Sequence, residues 1–105
     1  MLLRQVAYLL DIYRSLQAIQ SYVAGQTQNE FLKDPKTQDA VLRRFLVAGE
    51  AAARLTPETC EEFPGIPFPK IVGMRNRVVH DYGNVDFEII WENDTFRPAR
   101  AVEGS

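Results

Sequence analysis

A chain of 105 residues has room for one domain, and one this small buries roughly two-thirds of its surface at most, so self-association is a natural way to enlarge its core. With 12 basic and 14 acidic side chains and a net charge of −2, it carries no overall basic surface for nucleic acid; any such contact must come from a local cluster. The single cysteine, Cys60, excludes an internal disulfide, and one thiol with one histidine cannot build a cysteine-rich zinc site.

No apolar run approaches the ~20 residues needed to cross a bilayer. Leu2–Leu10 is interrupted by Arg4 and Gln5 and is followed by no small-residue cleavage site, so it does not read as a signal peptide. The expectation is a soluble, cytoplasmic protein.

From Leu2 to about Ala24, Leu2, Val6, Leu9, Tyr13, Leu16 and Ile19, with Ile12 and Val23 flanking, recur at three- and four-residue spacing. Arg4, Gln5, Asp11, Arg14, Gln17 and Gln20 take the other side, which predicts a long amphipathic helix ending at Gly25. Phe31-Leu32 in the polar connection suits a single helical turn, broken at Asp34-Pro35. Thr37 is then the expected cap of a second long helix running to about Leu55. That helix has two apolar seams, Val41, Phe45, Ala48, Ala52 and Leu55 beside Leu42, Leu46, Gly49 and Ala53. Two seams suit a helix with two neighbours, a second subunit being one option, and the small residues Gly49 and Ala53 permit a close approach.

Thr56-Pro57-Glu58 has the form of a fresh helix start, with proline at the first helical position and an acid in the first turn. A short helix to about Phe63 and a rigid loop at 64–67 should follow. Phe68, Ile71, Val72, Val78, Val79 and Tyr82 return to helical spacing, and Gly83-Asn84 stops that helix. Asn84 or Asp86 can cap a last helix through Phe87, Ile90 and Trp91. Periodicity fails from Asn93 onward, so residues 1–92 are read as one helical domain and 93–105 as a disordered or atypical tail. The expected fold is all-α, a bundle of four to five helices.

One stretch, Met74 to Gly83, collects the only histidine, two arginines, an amide, a carboxylate and a phenol. On a helix Asn76 and Arg77 share a face with His80, and Arg75 shares one with Tyr82. Arg75 and His80, five apart, diverge by about 140°. A groove, a distorted helix end or two copies at a two-fold axis would bring that pair together. An imidazole is the best general acid or base that the chain offers. By itself a lone histidine is more often structural than catalytic. Glu50, between apolar stripes, reads as a solvated acid, a buried ion-pair partner or a site residue, with a surface or structural ion pair about even with the alternatives. No phosphate-cradling glycine loop and no metal-ligand spacing is present.

The motif Arg75-x4-His80-x-Tyr82 resembles that of HepT-like proteins, a branch of the HEPN superfamily. Phe31-Leu32 followed by Lys36 to Val41, then Gly49-Glu50-Ala51-Ala52 with Leu55, Ile66-Pro67-Phe68, Gly73 to Asn76, and Val85-Asp86 with Ile90-Trp91 match it in the same order. The resemblance covers about residues 8 to 91. It departs at Phe68, where the family commonly has tryptophan, at Gly83-Asn84 directly after Tyr82, and after Trp91, where a longer helix is usual.

The resemblance implies a homodimeric HEPN-type up-down bundle acting as the toxin of a toxin–antitoxin pair. Its activity would be that of an endoribonuclease with no metal and no cofactor, lodged in a dimer cleft lined by Arg75 and His80 of both copies, with Asn76 in support. Its partners would be RNA and a minimal nucleotidyltransferase of the MntA type, which attaches AMP at the position of Tyr82. Arg77 and Lys70, with Arg43 or Arg44, are candidate contacts to the RNA backbone. The alternatives are a catalytically silent HEPN module that binds a nucleotidyltransferase or a nucleotide, and a plain helical adaptor.

Overall fold

A computed structural model describes residues 2–93. Six helices and no strand occur among them: α1 (Leu3–Val23), α2 (Gln28–Leu32), α3 (Pro35–Ala53), α4 (Pro57–Glu61), α5 (Phe68–His80) and α6 (Phe87–Glu92). The all-α expectation holds. The bundle is built on three long helices, with α3 packed between α1 and α5 and three short helices closing its ends.

Local chemistry accounts for most of the boundaries. Gly25 takes a φ of 78° just beyond α1, a conformation that glycine adopts without strain. Thr27 and Glu30 form a reciprocal capping box at α2, each side chain accepting from the other's backbone N–H. The cap of α3 is Asp34, not Thr37: Asp34 Oδ1 accepts the Thr37 N–H at 3.1 Å, and Oδ2 accepts the Thr37 hydroxyl at 2.6 Å. Pro35 can serve as the first helical residue because an N–H there would have no intrahelical partner. The expected breaker is thus the helix start, three residues early. Thr56 and Asp86 cap α4 and α6. The expected tail lies outside the described residues, apart from Asn93, which caps the end of α6.

The core has two adjoining parts. One gathers Ile19, Phe31, Val41, Leu42, Phe45, Met74, Val78, Ile90 and Trp91. Phe31 joins α2 to α6 there, its ring 5.3 Å from Trp91 and edge-on to Phe87 at 6.0 Å. The other gathers Ile12, Ala48, Ala51, Ala52, Phe68 and Ile71. The two seams of α3 are therefore answered by α1 and α5 of the same chain, although Ala53 in the second seam is exposed.

The inward face of α1 differs from the expected one. Ile12, Ser15 and Ile19 are buried, whereas Leu2, Val6 and Tyr13 are exposed. Gln5, placed on the polar side by its residue type, is buried. Its amide donates to the Arg54 carbonyl at 3.3 Å and accepts from the Thr56 N–H at 2.9 Å. A polar side chain satisfied on both sides can lie inside, and here it ties α1 to the α3–α4 junction.

Candidate active site

The inner face of α5 is Phe68, Ile71, Met74 and Val78, all buried at three- and four-residue spacing. This register puts Asn76, Arg77, Val79 and His80 in solvent and leaves Arg75 on the flank toward α3, partly covered. A Cβ on Gly49 would collide with Cβ and Cγ of Arg75 and come within 3.2 Å of the Ile71 carbonyl oxygen. The arginine stem thus lies directly on the Gly49 backbone. The close approach expected of Gly49 is real, and what fills it is Arg75.

The next residue of α3, Glu50, receives the guanidinium. Arg75 Nε–H and Nη2–H both donate to Glu50 Oε2, at 3.1 and 2.7 Å. Arg75 Nη1–H donates to Asn76 Oδ1 at 2.7 Å. Arg54, one turn on at the C-cap of α3, brings Nη2 to 3.5 Å from Glu50 Oε1. The Arg75 and Glu50 side chains are 31% and 48% exposed. An ion pair this wet contributes about 0–1 kcal/mol to folding, so its consequence is orientation rather than stability.

His80 is the last residue of α5, exposed, and has no hydrogen-bond partner among the described residues. The structure therefore joins Arg75 to Glu50 and Asn76 and leaves His80 open at the helix end. The expected shared face of Arg75 and Tyr82 does not form, because α5 stops at His80. Asp81 closes the helix with its N–H on the Arg77 carbonyl, and Gly83 turns the chain with a φ of 88°. Tyr82 stands in that turn, 78% exposed, beside a hollow of about 380 Å³ lined by Gln38, Asp39, Leu42, Asn84, Val85 and Phe87.

Lys70, Arg77 and Arg43 are exposed and Arg44 is partly covered; none forms an ion pair among the described residues. No three His, Cys, Asp or Glu side chains among the described residues converge as metal ligands. None of the described helices is long and apolar enough to cross a membrane. Glu50 is the site residue whose role the sequence left open. Its place beside a glycine on a packed helix was the available signal, but only the α3–α5 contact assigns its partner.

The described residues thus form a small helical bundle with Arg75 anchored on its third long helix and, at that helix's end, a His80 side chain that has no hydrogen-bond partner among them. The chain belongs to the Ribonuclease HepT-like family, whose profile matches residues 12–95. It is 36% identical over 86 residues to a Methanocaldococcus jannaschii protein named "Putative RNase MJ0127", covering 82% of this chain and 71% of that one. It is 32% identical over 85 residues to a Thermococcus cleftensis protein named "Probable ribonuclease HepT", covering 81% and 77%. No solved structure matches the chain. Membership places the protein among the endoribonucleases.

Proposed function

We propose that this protein is the ribonuclease toxin of a toxin–antitoxin pair and cleaves RNA by attack of the 2′-hydroxyl on the adjacent phosphate. One observation carries the catalytic part: among the described residues, a guanidinium held by two partners, with an N–H left over on each terminal nitrogen, lies on the same helix as an imidazole with no hydrogen-bond partner. The two spare N–H groups suit two oxygens of a phosphate. They would stabilise the charge that grows there as the 2′-oxygen attacks.

His80 acts as general base on the 2′-hydroxyl or as general acid on the leaving 5′-oxygen. The products are a 2′,3′-cyclic phosphate and a 5′-hydroxyl, and neither metal nor cofactor enters. Two copies pair so that Arg75 and His80 of both line one cleft, which answers the divergence of the two residues on a single helix. Asn76 supports the phosphate from the His80 side, and the exposed Arg77 and Lys70 hold flanking phosphates. The exposure of Tyr82, two residues beyond His80, supports a role as the acceptor of AMP from a minimal nucleotidyltransferase antitoxin. The added phosphate and base would repel RNA and crowd the cleft. Both partners are expected to meet in the cytoplasm.

The test is purified protein with RNA, as wild type and as His80→Ala, with and without a chelator. His80 is exposed at a helix end, so its removal should leave the fold intact. Wild type should cleave and leave cyclic phosphate ends, unaffected by chelation, and His80→Ala should not cleave. If neither form cleaves, the silent-module alternative takes over; cleavage abolished by the chelator contradicts the mechanism.

A further inference from the structure

We infer that Glu50 is a positioning residue for Arg75 in the cleavage reaction, an inference that rests on the ribonuclease reading of Arg75 and His80. A guanidinium has five N–H groups in one rigid plane. Three are engaged: Nε–H and one Nη2–H on Glu50 Oε2, and one Nη1–H on Asn76 Oδ1. Two remain without a partner among the described residues, one on each terminal nitrogen. A flexible arginine reaching into solvent would present any of its donors in many orientations. Clamped from two sides, this one presents a single pair.

The clamp is itself anchored. Glu50 follows Gly49, where α3 and α5 lie so close that even a Cβ would strike the Arg75 stem. Both ends of the arginine are therefore referred to one point on α3, the stem to Gly49 and the head to Glu50. Arg54 approaches the other carboxylate oxygen at 3.5 Å, so Oε2 is left to Arg75. The same arrangement orients Asn76. With Oδ1 accepting from Arg75, its amide N–H groups remain as donors, four residues from His80. Glu50 touches neither substrate nor His80; it acts through Arg75.

A positioning role separates from its rivals by which parameter moves. Replacing Glu50 with glutamine removes a negative charge from the cleft, which cannot weaken attraction to RNA. It also loosens the guanidinium, because a neutral amide oxygen accepts more weakly than a carboxylate, and a displacement of about 1 Å at a reacting group costs on the order of 10²-fold in rate. A merely structural residue would instead lower the folded fraction and leave kcat per folded molecule unchanged. An idle surface ion pair would change nothing.

The experiment uses the full chain as wild type, Glu50→Gln, Glu50→Asp and His80→Ala. It follows cleavage of an RNA oligonucleotide, thermal melting, and the Arg75 Nε–H resonance in nitrogen-labelled protein, assigned with Arg75→Lys. In wild type that resonance should be distinct and slow to exchange. In Glu50→Gln it should merge with the solvent-exposed arginines, while kcat falls about 10²-fold and KM does not rise. Glu50→Asp, with its carboxylate withdrawn by one methylene, should fall between the two. The role is overturned if Glu50→Gln keeps the protected resonance, keeps wild-type kcat, or loses activity only in step with its folded fraction. A wild type as inert as His80→Ala defeats the ribonuclease reading and this role with it. A cleaving wild type matched by Glu50→Gln defeats this role alone.

Discussion

At Arg75 and at Asp34 the chain uses one device, a carboxylate that fixes a neighbour through two contacts. Asp34 is the simpler case and makes a measurable claim about pH. The Thr37 hydroxyl, the Thr37 N–H and the Gln26 amide all bond its carboxylate and hold its pKa below the ordinary 3.8, with burial opposing them. A carboxyl depressed in the folded state adds stability above its unfolded value and loses it as pH falls through the folded one. The acid limb of a urea-midpoint profile should therefore steepen below 3.8. Asp34→Asn, which can still cap but does not titrate, should flatten it. By sequence alone Thr37 is the expected cap and Asp34-Pro35 a break, yet the true pair lies within reach of a local rule, and the Arg75 cluster does not. Asp34 and Thr37 are three apart, and capping at that distance is a local rule. Glu50 and Arg75 are 25 apart, and no local rule joins them.

At the scale of helices, α3 is the element on which the others are arranged, and its contact with α5 sets the site. Gly49→Ala would put a methyl into the Arg75 stem. Such overpacking costs about 1–3 kcal/mol, so the variant should melt lower and cleave more slowly per folded molecule as Arg75 is pushed from Glu50. On the facing helix, Ser15 is fully buried and its hydroxyl has no hydrogen-bond partner among the described residues. Ser15→Ala removes an unsatisfied group, puts in a better helix former, and should raise stability by about 1 kcal/mol in urea melts. Periodicity located α1 to within a residue at each end, yet it put Leu2, Val6 and Tyr13 on the core side. Apolar residues cover too much of that helix for 3.6-residue spacing to single out one face. What settles it is the partner's shape, together with a glutamine that folding can bury because two backbone groups of the α3–α4 junction satisfy it.

For the molecule as a whole, the separation of Arg75 and His80 makes the second copy the decisive prediction. If the cleft takes residues from both copies, mixing Arg75→Ala with His80→Ala and letting subunits exchange should restore part of the cleavage that each lacks alone. Each mixed pair would hold one intact arginine and one intact histidine. Mixtures as inactive as their components would mean that each chain works by itself. Sedimentation of wild type, expected as a dimer, checks the assembly independently.

Composition, spacing and caps are properties of short stretches, and a single chain displays them in full. They determined an all-helical protein and the starts of α4, α5 and α6, and they singled out the Met74–Gly83 stretch as the candidate place for chemistry. The order of the motifs along the chain pointed to the family. Only the tertiary structure decided that α1 and α5 both pack on α3, that Arg75 rests on Gly49 and is held by Glu50, and that the helix ends at His80 with Tyr82 free beyond it. The reason is physical. Capping and periodicity act within about one or two helical turns, whereas the orientation of a guanidinium depends on a carboxylate that only the packing of two distant helices brings within reach.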